Sequence, residues 1–136
     1  MYKRQVSSRL ITIRLWAVLF NVTIVQVYAP TSDYDDNETE EFYVQLQNVI
    51  DQTSKKDILV VQGDWNTKVG RDGCGNWQGI CGPFCNDDTN ERGLRLLEFA
   101  TFDDLVLVNT IGHHKHPEDE HGIAQMDNTT TRVITF

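Results

Sequence analysis

A chain of 136 residues, 40% hydrophobic and 24% charged, is long enough for one folded core and too ordinary in composition for a coiled coil or a disordered chain. Its net charge of −8 argues against a protein that coats nucleic acid through a lysine and arginine surface. An enzyme that meets phosphate through a bound cation stays open. The charge is uneven, because Lys3, Arg4, Arg9 and Arg14 precede every acid and the acids gather from Asp33 onward.

Residues 1–8 read as a basic N-terminal segment. Arg9 to Leu15 then alternates, with Arg9, Ile11, Ile13 and Leu15 against Leu10, Thr12 and Arg14. Phe20 to Tyr28 alternates as well, Val22, Ile24 and Gln26 opposing Asn21, Thr23, Val25 and Val27. Two such runs close together predict an antiparallel hairpin. The same region imitates a secretory leader, with basic residues, an apolar run from Leu15 to Phe20, and Val27-Tyr28-Ala29 before Pro30. Sequons at Asn21, Asn37 and Asn128 suit that secreted alternative. Asn21, Thr23 and Gln26 interrupt the run, however, and it is too short and polar to span a bilayer. The expectation is therefore a nuclear or cytoplasmic protein with no membrane partner.

Ala29-Pro30-Thr31-Ser32-Asp33 breaks the strand. Asn37 with Glu40 is a candidate helix cap, followed by Phe42, Leu46, Val49 and Ile50 on one helical stripe that ends near Gln52. A strand is expected at Ile58 to Gln62. Thr67 to Asn86 is glycine-rich without periodicity and reads as a long surface loop. It holds Cys74, Cys81 and Cys85, an odd count that reads as reduced thiols rather than a disulfide framework. With His113, His114, His116 and His121 downstream the residue types of a zinc site are present, but its ligand spacing is missing. Asp88 and Glu91 could cap a second helix, Arg92 to about Thr101, burying Leu94 and Leu97. Leu105 to Asn109 reads as a strand, 111–136 as a divergent and mostly irregular tail, and Thr129 to Phe136 as a possible short strand within it. The order ββ-α-β-α-β predicts an α/β (α+β) fold, a mixed sheet packed by helices.

The stretch Gly63-Asp64-Trp65-Asn66 carries the chemistry. If strand geometry persists, Asp64 and Asn66 share one side, about 7 Å apart along the chain, and Trp65 points into packing. A carboxylate there can accept a proton from water or bind Mg²⁺, and a carboxamide can orient a phosphate oxygen. The bland alternative is a strand end and a turn start. Tyr28, at a strand end before a proline, could aim its hydroxyl at an anion or be a half-buried aromatic.

Taken together, the segments Asn21 to Asp33, Lys55 to Gly70, Asn90 to Ala100 and Leu105 to Thr110 resemble the endonuclease/exonuclease/phosphatase (DNase I-like) superfamily. The branch is that of LINE-type retrotransposon endonucleases and craniofacial development protein 2-like proteins. The resemblance covers residues 9–110, which it makes the central part of such a domain. It implies part of a four-layer αββα sandwich and metal-assisted phosphodiester hydrolysis with Mg²⁺ or Mn²⁺ as cofactor; the family's substrates span DNA, RNA and phosphoinositide-like esters, and the LINE-type branch favours DNA. By resemblance Tyr28 would hydrogen-bond the scissile phosphate. Asp64 would position or deprotonate water and touch the metal indirectly, and Asn66 would stabilise the phosphate. Arg92 stands where an asparagine is common, which leaves Asn90 as a candidate substrate amide.

The family's metal-binding glutamate and its Ser-Asp-His segment have no counterpart here. Asp127 to Arg132 falls where the penultimate motif might begin, and the histidines lack matching context. The sequence thus reads as a fragment of a phosphodiesterase domain, truncated at both ends, weak or inactive alone unless complementing segments are supplied. A noncatalytic remnant or binding protein of the same fold is the rival.

Overall fold

Alternation in the N-terminal half sets the sheet. The computed structural model describes residues 1–85, 88–111 and 132–136, and the chain divides into two units, Met1–Asn66 with Thr135–Phe136 and Thr67–Ile134.

In the first unit, β2 (Leu10–Leu15) pairs antiparallel with β3 (Val22–Tyr28), from Leu10 opposite Val27 to Leu15 opposite Val22. This is the hairpin expected from the sequence. An additional edge strand, β1 (Tyr2–Gln5), pairs antiparallel with β2. The basic N-terminal segment is therefore part of the sheet. β4 (Ile58–Asp64) lies parallel to β3, from Val22 beside Ile58 to Tyr28 beside Asp64. Leu10, Thr23, Val25, Val27, Leu59 and Val61 fill the covered face. Their period of two puts every alternate strand residue on that side.

The parallel β3–β4 link requires a crossover, and α1 (Asp36–Asp51) supplies it. Asp35, not Asn37, is its cap, accepting from the Glu38 amide at 2.8 Å. Phe42, Leu46, Val49 and Ile50 are buried as the stripe predicts, with Thr39 and Tyr43 beside them. Trp65 completes this core. It is 2% exposed, meets Phe42 edge to face at 6.4 Å, and donates its indole N–H to the Thr135 carbonyl at 3.1 Å. At the start of β4 the buried Asp57 accepts from Arg14 at 2.7 and 2.9 Å and from Thr23 at 2.8 Å. Those hydrogen bonds from Arg14, outweighing burial, hold its carboxyl below the usual range.

The second unit contains α2 (Arg71–Cys74), α3 (Glu91–Phe102), β5 (Val106–Leu107), a 3₁₀ turn at Val108–Thr110 and β6 (Arg132–Thr135, all but its last residue). β5 and β6 pair in parallel, so a strand does form near the C-terminus. The strand expected at Leu105 to Asn109 shortens because the 3₁₀ turn takes over. Leu96, Leu97, Phe99 and Ala100 are buried, whereas Leu94 faces solvent. Starting at Glu91, α3 turns its apolar stripe away from Leu94. The glycine-rich stretch is no loose thiol-bearing loop. Cys74 and Cys81 form a disulfide, and Cys85 stays a free buried thiol with its Sγ 3.0 Å from that of Cys74. Burial pushes the Cys85 thiol up. Thr89 fastens the stretch by accepting the Gly70 and Gly73 amides at 2.9 and 3.1 Å.

These elements bear out the mixed α/β class. Among the described residues no three of His, Cys, Asp and Glu group as a metal site. His113, His114, His116, His121 and the Asp127 to Thr131 stretch lie outside the described residues.

Candidate functional site

The strand partners β3 and β4 end together. Tyr28 and Asp64 are register neighbours in the parallel pair, and neighbours at one register point to the same face of a pleated sheet. That face is the one opposite the buried face, and among the described residues both side chains are exposed. The Ala29 amide then donates to the Asp64 carbonyl at 2.8 Å, carrying the pairing one step beyond the strand.

Asn66 reaches the site by a different route from the one its spacing suggested. β4 stops at Asp64, and Asn66 has φ +48°, the left-handed region that asparagine tolerates better than most residues. Strand alternation therefore does not carry it to the side of Asp64. A turn does so instead. The Asn66 amide N–H donates to Asp64 Oδ1 at 2.9 Å, and Asn66 Nδ2 donates to the Ala29 carbonyl at 2.7 Å. These two bonds clamp the Tyr28-Ala29 corner to the Asp64 turn. Gly63 makes the approach possible. It has φ +142°, and a Cβ there would collide with the Val27 carbonyl, so only glycine suits this exit from the strand.

Sequence reasoning had not singled out Arg9. Its guanidinium lies 5.8 Å from the Tyr28 ring centroid and 4.6 Å from that of Tyr34, and donates to the Tyr28 carbonyl at 3.3 Å. A cation is thus held against the tyrosine at this corner. Only pairing register brings it there, so a linear reading had no signal for it.

Asn90 belongs to the other unit. It is the N-cap of α3, and its Oδ1 accepts from Gly93 N at 2.8 Å, Thr67 Oγ1 at 3.1 Å and Lys68 N at 3.2 Å. Three donors leave that oxygen little capacity for another partner.

For a divalent cation the corner offers one exposed carboxylate, with Oδ1 engaged by Asn66 and Oδ2 taking no hydrogen bond among the described residues. Magnesium is commonly held by one or two carboxylates together with substrate phosphate and water. The donor set fits a metal shared with the substrate, not a closed protein cage. A cavity of about 550 Å³ lies elsewhere, lined by Arg4, Thr12, Arg14, Gln52 and Asp57 among others. It opens at the Asp57 end of β4, away from Asp64, and its carboxylate is already consumed by Arg14 and Thr23.

An α/β unit with a carboxylate, a carboxamide and a tyrosine at the carboxyl ends of adjacent parallel strands is the class this geometry defines. In sequence, 105 residues (77% of this chain) are 41% identical to craniofacial development protein 2 of Bos taurus, and 105 residues are 39% identical to the protein of that name from Tragulus javanicus. The match spans 17% and 18% of those proteins' lengths, so this chain corresponds to under a fifth of either. No family model matches the chain, and no solved structure matches it.

Proposed function

We propose that this chain carries part of the active site of a metal-dependent phosphodiesterase acting on nucleic acid, with DNA as the substrate class. One observation supports this above the rest. The Tyr28 and Asp64 side chains share a register position, and Asn66 is clamped beside them through Ala29.

In this reading Asp64 Oδ2 takes the proton of an attacking water or holds that water in line. The Asn66 hydrogen bond to Oδ1 fixes the carboxylate plane, so the free oxygen keeps one orientation. Tyr28 Oη donates to a phosphate oxygen, and Arg9 behind the ring adds positive potential. Asn66 acts chiefly through position, since its Nδ2 is engaged by Ala29. Asp64 would meet the metal only indirectly, and Mg²⁺ or Mn²⁺ when bound would supply Lewis-acid stabilisation of phosphoryl charge. One carboxylate is a sparse set for that chemistry, so turnover by the chain alone is expected to be absent or very slow, and complementing protein segments would raise it.

Paramagnetic broadening tests the site directly. Mn²⁺ titrated into ¹⁵N-labelled protein with a short DNA duplex should broaden the Tyr28, Asp64 and Asn66 amides first, and Asp64→Asn should abolish this. Broadening confined to other acids would refute the assignment. Plasmid nicking with Mg²⁺ measures the activity itself. Robust nicking that vanishes in Asp64→Ala would keep the site and overturn the expected weakness.

A further inference from the structure

The β2–β3 hairpin ends in a turn that no packing requirement explains. Trp16 is 63% exposed, Val18 101%, Leu19 84% and Phe20 61%. Apolar side chains scattered singly on a surface are normal, but several large ones gathered on one turn mark an interaction site. The turn stands at the end of the sheet opposite Asp64. β4 alone, seven residues long, separates the two ends by about 20 Å.

Cations outnumber acids around this end. The Ile58 amide bonds the Asn21 carbonyl at 2.8 Å, which brings the Lys55-Lys56 loop beside the base of the turn. Lys3, opposite Ile13 on β1, adds a third cation. All three are exposed. Of the nearby acids, Asp57 is buried and neutralised by Arg14, and Asp51, the exposed last residue of α1, accepts from Gln47 at 3.0 Å, so the three lysines remain in excess. In a chain of net charge −8, with no acid before Asp33, this is a local reversal of sign.

We propose that the hairpin turn from Leu15 to Phe20 is a peripheral membrane contact. Its apolar side chains enter the interfacial layer of an anionic bilayer, while Lys3, Lys55 and Lys56 meet the lipid headgroups. An apolar tip collared by lysine, with a tryptophan at headgroup depth, matches the amphipathic demand of that layer. Nucleic acid fits less well, because two fully presented aliphatic side chains gain nothing from phosphate and the tip stands far from Asp64. The earlier expectation of no membrane partner rested on the absence of a spanning segment, and no helix among the described residues is long and apolar enough to cross a membrane. Peripheral contact needs no span.

Co-sedimentation of the full chain with phosphatidylcholine vesicles, with and without phosphatidylserine, tests this. Binding should require phosphatidylserine, fall with added salt and shift Trp16 emission to the blue. Leu19→Glu should abolish it, with an unchanged circular dichroism spectrum confirming the fold. Lys55→Gln with Lys56→Gln should weaken it about thirtyfold. The proposal is overturned by no binding, by binding that Leu19→Glu leaves intact, or by equal binding to neutral vesicles. Concentration-dependent self-association that Leu19→Glu abolishes would assign the tip to a second copy. Binding of single-stranded DNA through Trp16 in place of vesicles would assign it to nucleic acid, and either result overturns the membrane contact.

Discussion

Replacing Asp57 by alanine should be among the most damaging single changes in the first unit. The carboxylate is 3% exposed, receives two hydrogen bonds from Arg14 and one from Thr23, and sits where β4 begins. A hydrogen bond to a charged group contributes about 1.5–3 kcal/mol. Arg14 can turn back to water, so its share is discounted, but the buried Thr23 hydroxyl loses its acceptor. The net cost is about 3 kcal/mol, lowering the melting midpoint by roughly 10 °C for a chain of this size. The pH dependence follows from the sign of the shift. The folded carboxyl titrates below its unfolded value of about 3.9, so its stabilisation is complete above that value. It is lost as pH falls through the folded pKa. Wild type should therefore lose stability on acidification below about pH 4 more steeply than Asp57→Ala. Thermal melts of both proteins from neutral to acidic pH provide the assay. A neutral-pH difference under about 2 °C, or parallel acid limbs, would refute the claim that this carboxylate is desolvated and paired.

Gly63→Ala should cost about 3 kcal/mol or more, from positive φ and collision with the Val27 carbonyl. Amide exchange at Ala29 should rise with it, since the Ala29–Asp64 bond depends on that close approach. Reduction of the Cys74–Cys81 bridge, which spans a separation of 7 residues, should destabilise the second unit by about 2–3 kcal/mol. Urea unfolding with and without reductant would measure it, and Cys85→Ser, which leaves the bridge in place, should keep the reductant-dependent difference.

What was legible in the sequence divides along physical lines. The hairpin, β4 and the buried face of α1 follow from periodicity, because burial on one side imposes a period of two or 3.6 whatever the neighbours are. β1 left no such trace, since all of Tyr2–Gln5 is exposed and an exposed edge strand is held by backbone pairing alone. The α1 cap was misplaced by two residues because Asp35 and Asn37 are chemically equivalent candidates, and only the turn before the helix decides between them. The cysteine stretch was misread because a compact loop is organised by bonds such as those from Thr89 to Gly70 and Gly73, which carry no period. The residues of the candidate site were legible as types, but the mechanism joining them was not. Asn66 reaches Asp64 through a left-handed backbone that strand spacing could not indicate.

That left-handed turn also explains why β4 can serve two ends at once. Its interior, Leu59 and Val61, is fixed by burial and tolerates only apolar side chains of similar volume. Its first residues are fixed by the Asp57–Arg14 pair, which ties the hairpin to the strand from inside. Its last residues are released from the ladder by Gly63 and caught again by the Asn66 bonds to Asp64 and Ala29. A strand held rigidly at one end and ended by a hydrogen-bonded turn at the other can present an exposed carboxylate without letting it wander. The apolar hairpin tip lies at the Asp57 end, about 20 Å from Asp64 along β4. A contact made at the tip should therefore leave the geometry of Asp64 undisturbed, and Leu19→Glu should not alter Mn²⁺ broadening at Asp64 and Asn66.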